Sequence, residues 1–417
     1  MEGELDETPA AGAEEQNATA SGTRRRRSRR RRSRRHSQNA QAPAVLTPVE
    51  GFLWRRDDGK AFLLPVHSRF HPSPDDPLVD PALISRWYLE SGLRLTATAS
   101  TNGSQRGNIG EIATIEGLVP DEYRQKAVPF AELVSIDPTS RFRLETAPGV
   151  LEPRVIELMT PIGKGQRCLI VSPPKAGKTT LLQQLAHAIA VNHPETQIFV
   201  LLVDERPEEV THWKRSVVQG EVYASSSDES ITSHIEVSEM VLERARRLVE
   251  LGRDVVVFMD SLTRMSRAYN NAQKSSGRIL SGGIDARTME KPRRFFGSAR
   301  NLEHGGSLTI IATCLVDTGS RMDEVIFQEF KGTGNMEIIL TRDLFERRIF
   351  PCINIPQSGT RKEEKLYDRE EVERIHLLRR ALAALPTHEA MQLLLSRLKQ
   401  TKSNAEFLAA IQPTNGR

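Results

Sequence analysis

The sequence predicts an α/β protein built on a mostly parallel sheet, with a small β-barrel ahead of it and a disordered basic tail at its N-terminus. Three observations predict this. From Leu151 onward, strand-length apolar runs alternate with amphipathic helical stretches. One of those runs ends in a Gly-Lys-Thr turn, and residues 48–119 are short apolar runs separated by turn residues.

The tail comes first. All ten arginines of residues 1–47 fall between Arg24 and Arg35, and the six acids beside them leave that segment at +4, which is the formal charge of the whole 417-residue chain. The other residues therefore sum to zero, and the basicity belongs to the tail alone. Ala, Ser, Thr, Glu and Arg offer little to bury, so 1–47 is expected to be disordered. A block of arginines is a sequence-independent grip for a polyanion, with an affinity that falls as salt rises; an inert solubilising tail is the bland alternative. No apolar run reaches the roughly 18–20 residues of a membrane-spanning helix, and the acidic N-terminus lacks the apolar core of a secretory signal. Cys168, Cys314 and Cys352 stand far apart in or beside apolar segments, which suits reduced thiols and a cytoplasmic location. The ten histidines form no ligand-spaced cluster, so no structural metal is expected.

Residues 48–119 read as an oligonucleotide-binding type of barrel. Gly51–Trp54 and Ala61–Leu64 are short strands around Asp58-Gly59, followed by a Pro/Asp-rich loop over 71–80. Phe52, Trp54, Phe62, Phe70, Trp87 and Tyr88 are candidates for stacking on bases, although core roles account better for most of them. Residues 120–150, punctuated by proline, read as a connector, and 151–417 as the α/β domain. There, strands are expected at Cys168–Val171, Ile198–Val203, Val255–Met259, Leu308–Val316 and Met336–Leu340. Helices are expected at Thr180–Val191, Pro207–Val217 and Ser238–Leu251, with a helical C-terminal part over 370–412 broken at Pro386.

The chemistry gathers at strand ends. Ser172-Pro-Pro-Lys-Ala-Gly-Lys-Thr179 follows an apolar strand, and such a turn aims backbone N–H groups and a helix N-terminus at a phosphate. Lys178 then reaches the β and γ phosphates and Thr179 binds Mg²⁺. Ser172 stands where the usual pattern has its first glycine. Val255–Asp260 ends in a candidate Walker B acid, Asp260. Leu201–Arg206 ends in Asp204-Glu205-Arg206, and Glu205 suits the carboxylate that orients water in line with the γ-phosphate, on a strand expected to neighbour the P-loop strand. Arg206 suits a phosphate contact from the same turn, and Arg361, in Ser358-Gly-Thr-Arg, suits a cation for the transferring phosphoryl group. Two glycine-containing basic loops, around Arg278, Ser281 and Gly282 and around Arg321, are suited to gripping a polymer or are ordinary surface loops.

The combination of Pro173-Pro-Lys-Ala-Gly-Lys-Thr179, Asp204-Glu-Arg-Pro-Glu-Glu209, Asp260-Ser-Leu-Thr-Arg264, Arg294-Phe-Phe-Gly297, Gly305-Gly-Ser-Leu-Thr309, Phe330-Lys-Gly-Thr-Gly-Asn-Met336 and Gly359-Thr-Arg-Lys-Glu-Glu364 closely resembles the Rho family of bacterial transcription termination factors. The likeness runs from about Val49 to the C-terminus. It implies a RecA-like P-loop ATPase core behind an OB/cold-shock-like barrel, assembled as a homohexamer. Such a ring binds nascent RNA, moves 5′ to 3′ as an ATP- and Mg²⁺-dependent helicase, and releases transcripts from RNA polymerase, with elongation factors as further partners and no membrane.

Carried over by position, the resemblance makes Lys175, Ala176, Gly177, Lys178, Thr179 and Thr180 ATP contacts, joined by Gly163, Lys164, Gly165, Gln166, Arg167 and Cys168. Thr179 and Asp260 hold Mg²⁺. Glu205 becomes the catalytic glutamate, Arg361 an arginine finger donated across a subunit boundary, Arg206 a phosphate-side contact and Phe350 an adenine-stacking ring. Phe62 meets RNA at the barrel, and Arg278, Ser281, Gly282 and Arg321 meet it in a central channel. The departures are Lys60 and Leu78 at two aromatic positions of the barrel, Thr180 in place of a methionine, and the arginine-rich tail in place of a small helical bundle. They predict that electrostatics replaces base stacking in collecting RNA. The alternatives are a rotary or secretion-type hexameric ATPase that drives a protein partner, and a nucleotide-gated RNA-binding module without turnover.

Overall fold

A computed structural model describes residues 45–101, 107–217, 219–273, 284 and 287–411. The arginine block and the loop carrying Arg278, Ser281 and Gly282 lie outside the described residues.

Five strands close the barrel in the order β1-β2-β3-β5-β4. They are β1 (Val45–Arg55), β2 (Ala61–Pro65), β3 (Leu78–Val79), β4 (Arg94–Thr101) and β5 (Asn108–Ile115), with helix α1 (Pro81–Trp87) between β3 and β4. Residues 45–47, expected in the tail, open β1 instead, because Val45, Leu46 and Thr47 continue its ladder opposite Thr101, Ser100 and Ala99. Alternation along the strands sends Leu53, Leu63, Leu95, Ala97, Ile109 and Ile115 inward. Phe52, Phe62 and Leu64 point the other way and join the core that the α/β domain builds around Tyr223, Val237 and Met240. The buried aromatics of the barrel thus serve packing, whereas Tyr88 is 68% exposed. Helix α2 (Pro120–Lys126) buries Tyr123 in the barrel core, so the connector begins as part of the barrel. It ends on the sheet through β6 (Ser135–Ile136).

The α/β domain contributes α3 (Leu151–Met159), β7 (Arg167–Ser172), α4 (Lys178–Asn192), β8 (Gln197–Glu205), α5 (Pro207–Ser216), β9 (Glu221–Ser226), α6 (Ile231–Val249), β10 (Asp254–Asp260), α7 (Leu262–Ala272), α8 (Glu290–Gly297), β11 (Arg300–Leu302) and β12 (Ser307–Leu315). It continues with α9 (Arg321–Lys331), β13 (Met336–Ile339), α10 (Arg342–Glu346), β14 (Gly359–Thr360), α11 (Arg369–Ala383), α12 (Thr387–Leu398) and α13 (Asn404–Ala409). The sheet runs β14-β13-β7-β12-β10-β8-β9, parallel from β13 to β9, with β11 and β6 added beside β12. Along β10, Val256 and Phe258 enter the core under α4, while Val255, Val257 and Met259 enter the core under α6. Both faces are covered, which is why the strands read as unbroken apolar runs.

One expectation about the sheet is corrected. β8, which carries Glu205, does not neighbour the P-loop strand β7, because β12 and β10 lie between them.

Candidate functional site

The parallel strands end together, and ligands of such sheets bind beyond their C-terminal ends. Ser172 closes β7 opposite Leu315 of β12, and Asp260 closes β10 opposite Leu202 of β8. β8 therefore runs three residues past its neighbour. Asp204, at φ 54, sits at a register shift in that overrun, after which Glu205 pairs with Ser226 of β9. That overrun lets Glu205 meet Lys178 although two strands separate β8 from β7.

The phosphate loop spans 172–179. Gly177 sits at φ +83 as the residue before α4, a conformation that a side chain resists by about 1–2 kcal/mol. Ser172 has no positive φ, so its backbone needs no glycine; its buried hydroxyl donates to the Pro173 carbonyl at 2.9 Å. From the first turn of α4, Lys178 Nζ lies 2.5 Å from Asp260 Oδ2 and 3.8 Å from Glu205 Oε2, and it donates to Thr179 Oγ1 at 3.4 Å. Asp260 and Glu205 are each 1% exposed. Two residues without an assigned role in the sequence hold them in place. Thr313 Oγ1 of β12 donates to Asp260 Oδ1 at 2.8 Å, and Arg264 Nη2 of α7 donates to Glu205 Oε1 at 3.1 Å. Arg264 also donates to the Asp204 carbonyl. Its place in Asp-Ser-Leu-Thr-Arg, one helical turn after Asp260, is the signal a sequence could offer; Thr313, inside an apolar strand, offers none.

Burial, reinforced by the neighbouring Asp260 carboxylate, pushes the Glu205 carboxyl above the ordinary range, with Lys178 and Arg264 pulling it back. Lys178 and Arg264 face three carboxylates, those of Asp204, Glu205 and Asp260, so the cluster is one positive charge short. The buried Glu205 Oε2 has no hydrogen-bond donor. The Thr179 hydroxyl and the buried Asp260 carboxylate, both beside Lys178, are hard oxygen donors of the kind Mg²⁺ takes.

Beside the loop opens a cavity of about 410 Å³ lined by Ala176, Gly177, Thr180, Leu181, Phe345, Phe350 and Cys352, among others. Phe350 is 41% exposed there, and Phe345 meets it edge-on at 5.9 Å. The cavity brings Phe350 to the phosphate loop, with Phe345 beside it. Lys175, Thr180 and Arg206 are exposed around the loop and the end of β8. Arg206 N donates to Glu205 Oε1 at 3.1 Å.

One group of residues lies away from this chain's own phosphate loop. Gly163, Lys164, Gly165, Gln166, Arg167 and Cys168 lie at or before the start of β7, the opposite end from the phosphate loop, and six strand residues span roughly 20 Å. They build that edge of the sheet. Lys164 pairs with Asp254 at 2.6 Å, Gly165 N donates to Thr309 Oγ1 at 2.8 Å, Gln166 and Arg167 bond Asn335, and Cys168 is fully buried. Arg361 is on the same edge. Its backbone N–H donates to the Asn335 carbonyl at 2.9 Å, and its charge, after burial, lowers the pKa of Arg167. Arg361 therefore cannot reach its own chain's phosphate loop. Phe62 is 4% exposed and tilts against Trp54 at 5.9 Å, forming part of a groove rather than an outstanding ring. Arg321 is exposed at the start of α9, just beyond β12.

Residues 153–360 match the nucleotide-binding domain of the ATP synthase alpha/beta family. The chain is 48% identical over 363 residues to transcription termination factor Rho of Cereibacter sphaeroides, covering 86% of each chain. It is 50% identical over 383 residues to that of Micrococcus luteus and 51% identical over 375 residues to that of Streptomyces lividans. Both alignments take in 89% of this chain, and it spans about half the length of those two relatives, 55% and 52%. Among solved structures, an ATPase from the type III secretion system of pathogenic bacteria superposes with a TM-score of 0.56 at 19% identity, over 67% of this chain and 86% of that one. An ATP synthase subunit from Nanoarcheaum equitans superposes with a TM-score of 0.54 at 18% identity, over 66% and 74%. At such identities the likeness is one of fold.

Proposed function

The chain belongs to the transcription termination factor Rho family, and from that membership and the site's geometry we propose that it is an RNA-dependent ATPase and 5′ to 3′ RNA helicase that ends transcription. The observation that carries the reading is the convergence of Lys178, Asp260 and Glu205 at the strand ends, with Arg361 at the opposite edge.

Lys178 leaves Asp260 for the β and γ phosphates, while backbone N–H groups of the loop and the N-terminus of α4 take the remaining charge. Thr179 and Asp260 would hold Mg²⁺, which supplies charge neutralisation between the phosphates. Glu205, freed from Lys178 and still oriented by Arg264, accepts a hydrogen bond from the attacking water and aims it at the γ-phosphorus. Phe350 and Phe345 take the base. Arg361 acts on the nucleotide of a neighbouring copy, and the Gly163–Arg167 segment, on the same edge, faces that nucleotide with it. This head-to-tail use of two unlike edges is the geometry of a ring, here a homohexamer.

RNA enters at the barrel and the arginine block, and the loops of Arg278 and Arg321 grip it within the ring. RNA polymerase with its elongation factors is the machinery acted on, in the cytoplasm. Among the described residues no helix is long and apolar enough to cross a membrane. ATP hydrolysis measured with RNA, with single-stranded DNA and with no polymer tests the reading: strong stimulation by RNA is expected, and equal rates in all three would defeat it.

A further inference from the structure

We propose that Arg69, Phe70 and His71 form a clamp through which the barrel positions Glu205. The proposal rests on the reading of Glu205 as the water-orienting acid and of the barrel as an RNA-binding module.

The clamp grips one strand. Arg69 and Phe70 have φ of 49 and 71, a region that side-chain-bearing residues leave unless contacts hold them there. Those contacts fall on three successive residues of β9, the edge strand beside β8. Arg69 Nη1 donates to the Val222 carbonyl at 2.7 Å. Phe70, fully buried, stacks on Tyr223 at 4.5 Å and 6° and meets Phe52 of β1 edge-on at 5.0 Å. His71 Nε2 donates to the Ala224 carbonyl at 3.1 Å, and its Nδ1 lies 3.4 Å from the Glu229 carboxylate.

From β9 the contacts lead to Glu205. Glu229 accepts from Ser226 N at 3.2 Å, Ser225 Oγ at 3.2 Å and Ser233 Oγ at 2.5 Å, which fixes the turn after β9. In that turn Ser226 is in register with Glu205, and Ser227 N donates to the Glu205 carbonyl at 2.9 Å. On the other side, the chain immediately after His71 enters a groove of about 350 Å³, where Pro72, Ser73 and Asp76 face Trp54, Arg56 and Phe62. A polymer in that groove bears on residues contiguous with the clamp, the clamp bears on β9, and β9 carries the backbone of Glu205. A carboxylate that aims water is sensitive to displacements of about 1 Å. His71 and Glu229 are thus positioning residues, remote from the phosphates.

The test uses the full chain with a labelled single-stranded RNA. His71→Ala is expected to lower RNA-stimulated kcat about tenfold, while hydrolysis without RNA, half-saturating ATP and RNA affinity stay within about twofold. His71→Gln, which keeps a donor for the Ala224 carbonyl, restores most of the rate. In the unsubstituted chain, RNA is expected to slow hydrogen exchange at the Ser227 amide. The clamp is overturned by an undiminished RNA-stimulated kcat in His71→Ala, by a loss of RNA affinity in step with the rate, by no recovery in His71→Gln, or by Ser227 exchange indifferent to RNA. Should the unsubstituted chain show no stimulation by RNA, the functional reading itself fails and the clamp with it.

Discussion

Lys178 is the residue on which the site turns, because one ammonium group is shared by two buried carboxylates before any phosphate arrives. Lys178→Ala is expected to remove ATP hydrolysis and to leave Asp260 and Glu205 crowding each other, which phosphate-release assays and nucleotide binding would register together. Glu205→Gln separates binding from chemistry. It keeps the shape and an acceptor for Arg264 but loses the charge that polarises water, so kcat falls about 10²–10⁴-fold with half-saturating ATP nearly unchanged. An unaltered kcat would remove Glu205 from the reaction. Thr313→Val takes away the hydroxyl that donates to Asp260 Oδ1, and an unsatisfied buried acceptor costs about 1–3 kcal/mol. Urea unfolding should show that loss.

Elements explain why some of these residues are readable in the sequence and others are not. Gly177-Lys178-Thr179, Asp260 and Glu205 are legible because each ends an apolar run, and a strand end in a parallel sheet is where chemistry collects. Strand order is not legible. Nothing local in Gln197–Glu205 says that β12 and β10 intervene before β7, and the reach of Glu205 depends on β8 outrunning β10, a property of register. β9 does not stand out because Glu221-Val-Tyr-Ala-Ser-Ser is too polar to read as a strand, being an edge. The barrel's aromatics are legible as core, and their actual use, packing the barrel onto α6 and β9, belongs to tertiary structure. Gly165 shows the same limit. The family resemblance makes it an ATP contact, and its φ of +89, with a Cβ that would lie only 2.2 Å from Asn301 N, adds a packing reason that the sequence does not show. Gly165→Ala should therefore destabilise the chain by at least about 1–2 kcal/mol, seen as a lower urea midpoint in the absence of nucleotide.

Over the whole molecule, the separation of Arg361 from the phosphate loop, on the function proposed above, makes assembly part of catalysis. Neither Arg361→Ala nor Lys178→Ala alone is expected to hydrolyse ATP, while a mixture of the two recovers part of the rate, because some junctions then join an intact loop to an intact arginine. A mixture as inactive as its components would place Arg361 elsewhere. Charge division makes a second prediction. Deleting residues 1–40 removes the whole Arg24–Arg35 block, so RNA affinity should fall and its dependence on salt should flatten by about 0.7 for each phosphate that the tail no longer neutralises. An unchanged salt slope would assign RNA collection to the barrel alone.

The two unlike edges of the sheet also fix a count. With Arg361 in the role proposed for it, a single chain owns a loop without a partner and an arginine without a target, hence no complete site. Chains joined in an open arc have one complete site fewer than they have members, with a bare loop at one end and a bare arginine at the other. Closing the arc completes a site without adding a chain. Hydrolysis per chain should therefore rise with assembly in proportion to junctions rather than to protein, and the final closure is a step in the number of working sites.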